Sequence, residues 1–233
     1  MKKIYNPLLI VLLVITGFTS LAQNSPFEFG VKGGLNLSSL SFNNNTIPTN
    51  RIKPGVNIGF TTTYNFRQNF FLQSGLSFTT KGAEIKGEAP MGFDYNLVYP
   101  GREAVLKSNQ LYLQVPIYAG YRLDVLPGTR LVLTAGPYVA YGIGGKTQLT
   151  GDILYGDMID YSTLEEKTFA SRGLERFDVG IGTGIGVDFG RAIVGLTYEL
   201  GLKDIGPSGT VYWPFYSNSY KNRNASLSLE YKF

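Results

Sequence analysis

Residues 225–233 read Ala-Ser-Leu-Ser-Leu-Glu-Tyr-Lys-Phe, so apolar side chains alternate with polar or charged ones. Successive side chains of an extended chain point to opposite faces. Ala225, Leu227, Leu229, Tyr231 and Phe233 therefore share one face, and Ser226, Ser228, Glu230 and Lys232 share the other. A strand with one wholly apolar face and one charged face must lie between two different environments.

The pattern recurs at 27–38, 55–66, 70–80, 110–123, 130–143, 176–189 and 192–202. In the first of these, Phe27, Phe29, Val31, Leu35 and Leu37 oppose Glu28, Lys32, Asn36 and Ser38; in the last, Val194, Leu196, Tyr198 and Leu200 oppose Thr197 and Glu199. No segment beyond residue 22 carries a helical period, so the class is all-β. Each segment is close to the roughly 9–11 residues with which a tilted strand crosses hydrocarbon.

The breaks between these segments alternate in length. Residues 67–69, 124–129 around Pro127-Gly128, and 190–191 are tight, whereas 39–54, 81–109, 144–175 and 203–223 are long. This predicts an eight-stranded antiparallel up-and-down transmembrane β-barrel with short periplasmic turns and long extracellular loops. A lipocalin-like soluble barrel would instead turn its apolar face inward. Charges of both signs and many glycines on the polar face favour the membrane reading. So do the aromatics near the short turns, Phe27, Phe29, Phe66, Phe70, Phe189, Tyr231 and Phe233.

Open sheet edges in lipid would leave backbone donors and acceptors unpaired, so the first strand must pair with the last. Closure brings Glu28, Lys32, Glu230 and Lys232 into one lumen with Arg122 and Glu199, with Glu28 expected beside Lys232. Gly180, Gly182, Gly184 and Gly186 fall at strict spacing two and precede no helix, which removes a phosphate-loop reading. They make room for bulkier groups such as Tyr112, Tyr118, Tyr138 or Arg122. An eight-stranded interior is just wide enough for side chains to fill, so a plugged lumen is expected and not an open channel.

Ahead of the barrel, Lys2 and Lys3 precede an apolar run from Pro7 to Phe18 and the small-residue site Ser20-Leu21-Ala22. Residues 1–22 are read as a secretory signal peptide and 23–233 as the barrel domain. The formal charge of +4 falls to +2 without Lys2 and Lys3, and no basic run follows, so no nucleic-acid partner is expected. With no cysteine, neither a lipid anchor nor a disulfide framework is available. With no histidine, Ser-His-Asp and Cys-His systems and the usual zinc sites are excluded. No motif fixes a catalytic, cofactor-binding or metal site.

Three stretches carry a family resemblance. Phe29-Gly30-Val31-Lys32-Gly33-Gly34-Leu35-Asn36, Leu111-Tyr112-Leu113-Gln114-Val115-Pro116 and Leu227-Ser228-Leu229-Glu230-Tyr231-Lys232-Phe233 resemble the PorT-like outer-membrane barrel family of Bacteroidota across essentially the whole mature chain. The resemblance implies a barrel in the outer membrane. It also raises an accessory role in protein secretion, since one family member is associated with type IX secretion. Leu229, Tyr231 and Phe233 resemble the C-terminal signal read by barrel-assembly machinery.

Two outer segments stand out. Asp152, Asp157, Asp160, Glu165 and Glu166 make one loop acidic, but their spacing does not match an EF-hand and a solvated loop is expected. Tyr212, Trp213, Phe215, Tyr216 and Tyr220 concentrate aromatic surface beside polar residues, a platform for a protein or glycan or else packing among long loops. The function read from the sequence is a non-enzymatic integral outer-membrane protein. It either supports the envelope among outer-membrane lipid and lipopolysaccharide or presents its outer loops to a partner; secretion or small-solute transport is the alternative. Intact mass measurement on protein isolated from outer membranes should give a chain starting at Gln23, and a retained Met1 would contradict the signal-peptide reading.

Overall fold

The computed structural model describes residues 26–42, 49–66, 69–88, 103–155, 158–171, 173–206 and 219–233. Its strands are β1 (Phe27–Phe42), β2 (Thr49–Arg51), β3 (Lys53–Asn65), β4 (Phe70–Glu88), β5 (Glu103–Leu126), β6 (Thr129–Gly144), β7 (Lys146–Tyr155), β8 (Met158–Lys167), β9 (Phe177–Asp188), β10 (Ala192–Gly201) and β11 (Tyr220–Lys232). Eight of these, β1, β3, β4, β5, β6, β9, β10 and β11, pair antiparallel in chain order, and β11 returns to β1. The closing register sets Gly30 opposite Lys232, Leu35 opposite Leu227 and Leu37 opposite Ala225. Closure leaves no barrel edge exposed to lipid, as the lack of water there demands.

Burial is inverted relative to a soluble barrel. Asn222, Asn224, Ser228, Glu230 and Lys232 of β11 are buried, while Leu227, Leu229 and Tyr231 between them are exposed. Ile58, Phe60 and Leu35 stand 64%, 63% and 63% exposed on neighbouring strands. A ring of such residues is tolerable only against hydrocarbon, which decides between the membrane and lipocalin-like readings. Aromatic pairs gather at the short-turn end: Phe27 with Tyr64 (4.9 Å between centroids), Tyr64 with Phe66 (4.8 Å), Phe70 with Tyr121 (4.6 Å) and Tyr231 with Phe233 (5.9 Å). Two of the short turns hold Gly128 at φ 76° and Gly190 at φ 90°, backbone conformations that residues with a Cβ resist.

The long outer segments carry strands of their own, which period two does not mark. The strand β5 is 24 residues long, more than twice the roughly 9–11 needed to cross the bilayer. β4 continues with it to Glu88, pairing as far as Glu103. β7 and β8 form a hairpin whose first strand pairs with the outer half of β5, and β2 pairs with the outer end of β4. A five-stranded sheet in the order β2-β4-β5-β7-β8 thus continues beyond the barrel wall. Sequence periodicity missed it because this sheet does not face lipid. Lys146, Gln148, Glu165 and Lys167 replace the apolar face that made the barrel strands visible.

Replacing Leu196, 57% exposed on β10, by Arg should cost about 2–4 kcal/mol near the bilayer midplane. Thr163→Arg on the outer sheet should stay within about 0.5 kcal/mol, as exposed substitutions do. Reversible denaturant unfolding in lipid vesicles measures both, and equal costs would contradict the assignment of faces.

Candidate functional site

Three tiers of polar side chains cross the lumen. At the short-turn end, Arg122 of β5 donates to Glu28 Oε2 at 3.0 Å and Asn65 Oδ1 at 2.6 Å, and its guanidinium lies 4.4 Å from the Phe71 ring centroid. Asp188 of β9 accepts from Lys232 at 2.9 Å and from Arg130 at 3.1 Å, and its other oxygen accepts the Gly190 backbone N–H at 2.8 Å. Lys232 also stands 3.8 Å from Glu28, placing these two residues as neighbours across the closing seam.

In the middle tier, Glu230 accepts from Thr61 at 2.7 Å and Gln73 at 3.2 Å. Lys32 faces the same space opposite Glu230 in the ladder, but has no hydrogen-bond or ion-pair partner among the described residues. It lines two cavities of about 60 and 40 Å³. Such volumes hold waters, not a bound metabolite.

The upper tier centres on Lys81 of β4. Its ammonium reaches Glu199 of β10 at 3.2 Å and Asp178 of β9 at 3.8 Å, and lies 4.2 Å from the Tyr138 ring centroid. β4 and β10 are four strands apart in either direction round the ring, so this side chain spans the lumen's full width. Glu199 accepts from Gln114 at 2.6 Å, from Asn224 at 3.2 Å and from the Tyr118 hydroxyl at 3.3 Å; Asp178 accepts from Asn222 at 3.0 Å and from Tyr138 at 3.3 Å. The Lys81 contacts are ion pairs without hydrogen-bond alignment, and Asp178 Oδ1, Asn222 Oδ1, Asn224 Oδ1 and Gln114 Oε1 lack donors among the described residues. The tier is held by charge and packing more than by complete hydrogen bonding.

The β9 glycines explain how rings fit here. A Cβ on Gly180 would lie 2.6 Å from Tyr138 Cε1, and one on Gly182 would lie 2.9 Å from Tyr118 Cζ. Both distances are far inside van der Waals contact, so only glycine leaves space for the tyrosines.

Above Lys81 the mouth closes with an apolar cluster of Leu40, Ile85, Leu106, Tyr112, Phe169, Leu174, Ile205 and Tyr220. Arg176 fixes the turn carrying Phe169 by donating to the carbonyls of Gly142 at 2.8 Å and Phe169 at 3.1 Å. Tyr220 is only 3% exposed. It belongs to this cap and not to an outer aromatic platform, because β11 begins earlier than periodicity indicated. Tyr212, Trp213, Phe215 and Tyr216 lie outside the described residues. Of the acidic stretch, Asp160, Glu165 and Glu166 sit on β8. Hydrogen bonds from Lys146 and then Gln148 hold the Glu165 carboxyl below its ordinary range. Among the described residues, no group of three or more carboxylates is placed to hold a metal. Leu229 and Tyr231 face lipid, and the Phe233 backbone N–H donates to the Phe29 carbonyl at 2.9 Å.

Sequence reasoning missed Lys81, although the signal was present. Gln73, Gly75, Ser77, Thr79 and Lys81 continue one period of two, and only the assumption that the strand ended at residue 80 put Lys81 in a loop.

An apolar exterior, a charged and filled interior, and a closed ring of eight antiparallel strands define a transmembrane β-barrel of the outer-membrane class. Residues 21–206 match the family model described as outer membrane protein beta-barrel domain, and the chain belongs to that family and to the outer membrane. Among solved structures it is similar to Ail, the attachment invasion locus protein of Yersinia pestis (15% identity, 88% of this chain and 98% of that one, TM-score 0.40). It is also similar to Neisserial surface protein A (14%, 88% and 97%, 0.39) and to OprG of Pseudomonas aeruginosa (13%, 88% and 95%, 0.36). No curated protein matches the sequence.

Removing one partner of a buried ion pair strands the other charge, at about 3–5 kcal/mol. Lys81→Met should therefore destabilise the folded barrel by that order in urea unfolding from micelles. The double variant Lys81→Met/Glu199→Gln should recover part of the loss through the coupling between contacting residues. Strictly additive effects would remove Lys81 from the role of lumen strut.

Proposed function

We propose that this protein is a non-enzymatic, non-conducting outer-membrane barrel that presents its outer sheet to a partner. The observation that carries this is the combination of a lumen crossed by Lys81 and capped by Phe169 with a five-stranded sheet continuing outside. Among the described residues β7 is the only strand that pairs with β8, a ten-residue strand at the end of the sheet. Strand edges of this kind accept an extended segment of another protein by backbone hydrogen bonding. The stretches 29–36, 111–116 and 227–233 support placing the chain in the PorT-like part of the family. Leu229, Tyr231 and Phe233 support recognition by barrel-assembly machinery.

An affinity pull-down from gently solubilised outer membranes should retain a specific protein that is lost with Thr163→Pro or Leu164→Pro. Adjacent positions are both needed because successive backbone N–H groups point to opposite sides of the strand. Planar-bilayer recordings of the same preparation should show no stable current. A stable ion-selective current, or partner capture indifferent to both prolines, would overturn the proposal. Deleting Phe233 should lower the yield of heat-modifiable barrel; an unchanged yield would remove the assembly role.

A further inference from the structure

The lipid-facing wall is apolar along most of β11, where Ala225, Leu227, Leu229 and Tyr231 point outward, but toward the outer end it changes character. The next two outward residues are Arg223 and Lys221, opposite Ser39 and Ser41 of β1 in the closing register. On the other flank Arg223 faces Leu200, and Leu202 beyond it is 54% exposed, so the wall around this polar notch is still apolar. Neither Arg223 nor Lys221 has a carboxylate or hydrogen-bond partner among the described residues. Of the lumen cations, Lys81, Arg122, Arg130 and Lys232 are paired, and Lys32 alone among the described residues shares the unpaired state.

Directly below the notch lies an open groove of about 590 Å³ between Leu35, Leu37, Leu196, Tyr198 and Leu227. Its floor includes Ala225 and Thr183, small where their neighbours in the wall are large. Ala225 is two residues from Arg223, about 7 Å at the strand rise. A headgroup on the cations and a chain in the groove would therefore belong to one molecule.

We propose that the β1–β11 seam is a binding site for one phosphomonoester-bearing acylated sugar lipid of the outer leaflet. Its phosphate lies on Arg223 and Lys221 and one acyl chain lies along the Ala225 groove. The charge count selects the monoester, which carries about −1.5 to −2 near neutral pH and so matches two cations, where a phosphodiester carries one charge. Arg offers paired donors to phosphate oxygens, Lys adds a point charge, and the two serine hydroxyls add donors beside them. Basic residues near strand ends also meet headgroups without selectivity. The proposal differs in requiring both the phosphate and the groove.

The test is native mass spectrometry of the full-length barrel in mild detergent with added diphosphorylated lipid A. The wild type should hold one lipid. Arg223→Gln/Lys221→Gln should weaken binding by at least about tenfold, the loss expected for charge-assisted hydrogen bonds. Ala225→Phe, which fills the groove and leaves the cations in place, should also weaken it. Heat-modifiability of each variant confirms a closed barrel, and any variant that fails to fold is replaced by Arg223→Lys, which keeps the charge and should bind between the wild type and the double variant. Equal binding by the double variant, by dephosphorylated lipid A, or full displacement by equimolar phosphatidylglycerol would overturn the proposal.

Discussion

Inside a bilayer no water is available to satisfy a backbone amide, and every other feature of this molecule follows from that constraint. A sheet can span the membrane only by pairing its first strand with its last, here β1 with β11 from Gly30–Lys232 outward. Closure at eight strands then fixes the width of the interior, and that width admits side chains but little else. The polar face that each strand must turn away from lipid is therefore forced into contact with the polar faces opposite. Deeply buried charges there find partners across the lumen, because an unpaired buried ion is costly, while the half-buried Lys32 lies beside small cavities instead.

The three tiers show how the requirement is met. Arg122, Arg130 and Lys232 surround Glu28 and Asp188 at one end, while Lys81 crosses to Glu199 and Asp178 at the other. Local sterics are subordinate to this arrangement: Gly180 and Gly182 are glycines because Tyr138 and Tyr118 fill the space that a Cβ would take. The same strands leave the membrane without ending. Once they are in water the pressure to alternate disappears, and β4, β5, β7 and β8 carry mixed faces. The wall itself is not uniform either, since the seam that closes the ring also carries Arg223 and Lys221, cations without a partner among the described residues.

How much of this the sequence revealed depended on the environment of each residue. Where lipid and lumen lie on opposite sides, alternation is unmistakable, so the eight barrel strands and the inward placement of Glu28, Arg122, Glu199, Glu230 and Lys232 could be read from period two alone. Outside the bilayer the contrast between faces fades, so period two does not mark the β7–β8 hairpin. Lys81 escapes the pattern for a related reason: the apolar face of β4 gives way after Phe78, with Thr80 in the next outward position. Tyr220 was legible as an aromatic but not as a cap, because burial at the mouth comes from Phe169, Leu174 and Ile205, distant in sequence.

The most direct measurement exploits the absence of native cysteine. Leu35→Cys/Leu227→Cys places two thiols on directly opposed residues across the closing seam, whereas Leu35→Cys/Val194→Cys places them on strands that do not pair with each other. Oxidation in isolated outer membranes should cross-link the first pair and leave the second uncoupled. Absence of the first cross-link in folded protein, or equal yields for both, would contradict a barrel closed by β1 and β11 in this register.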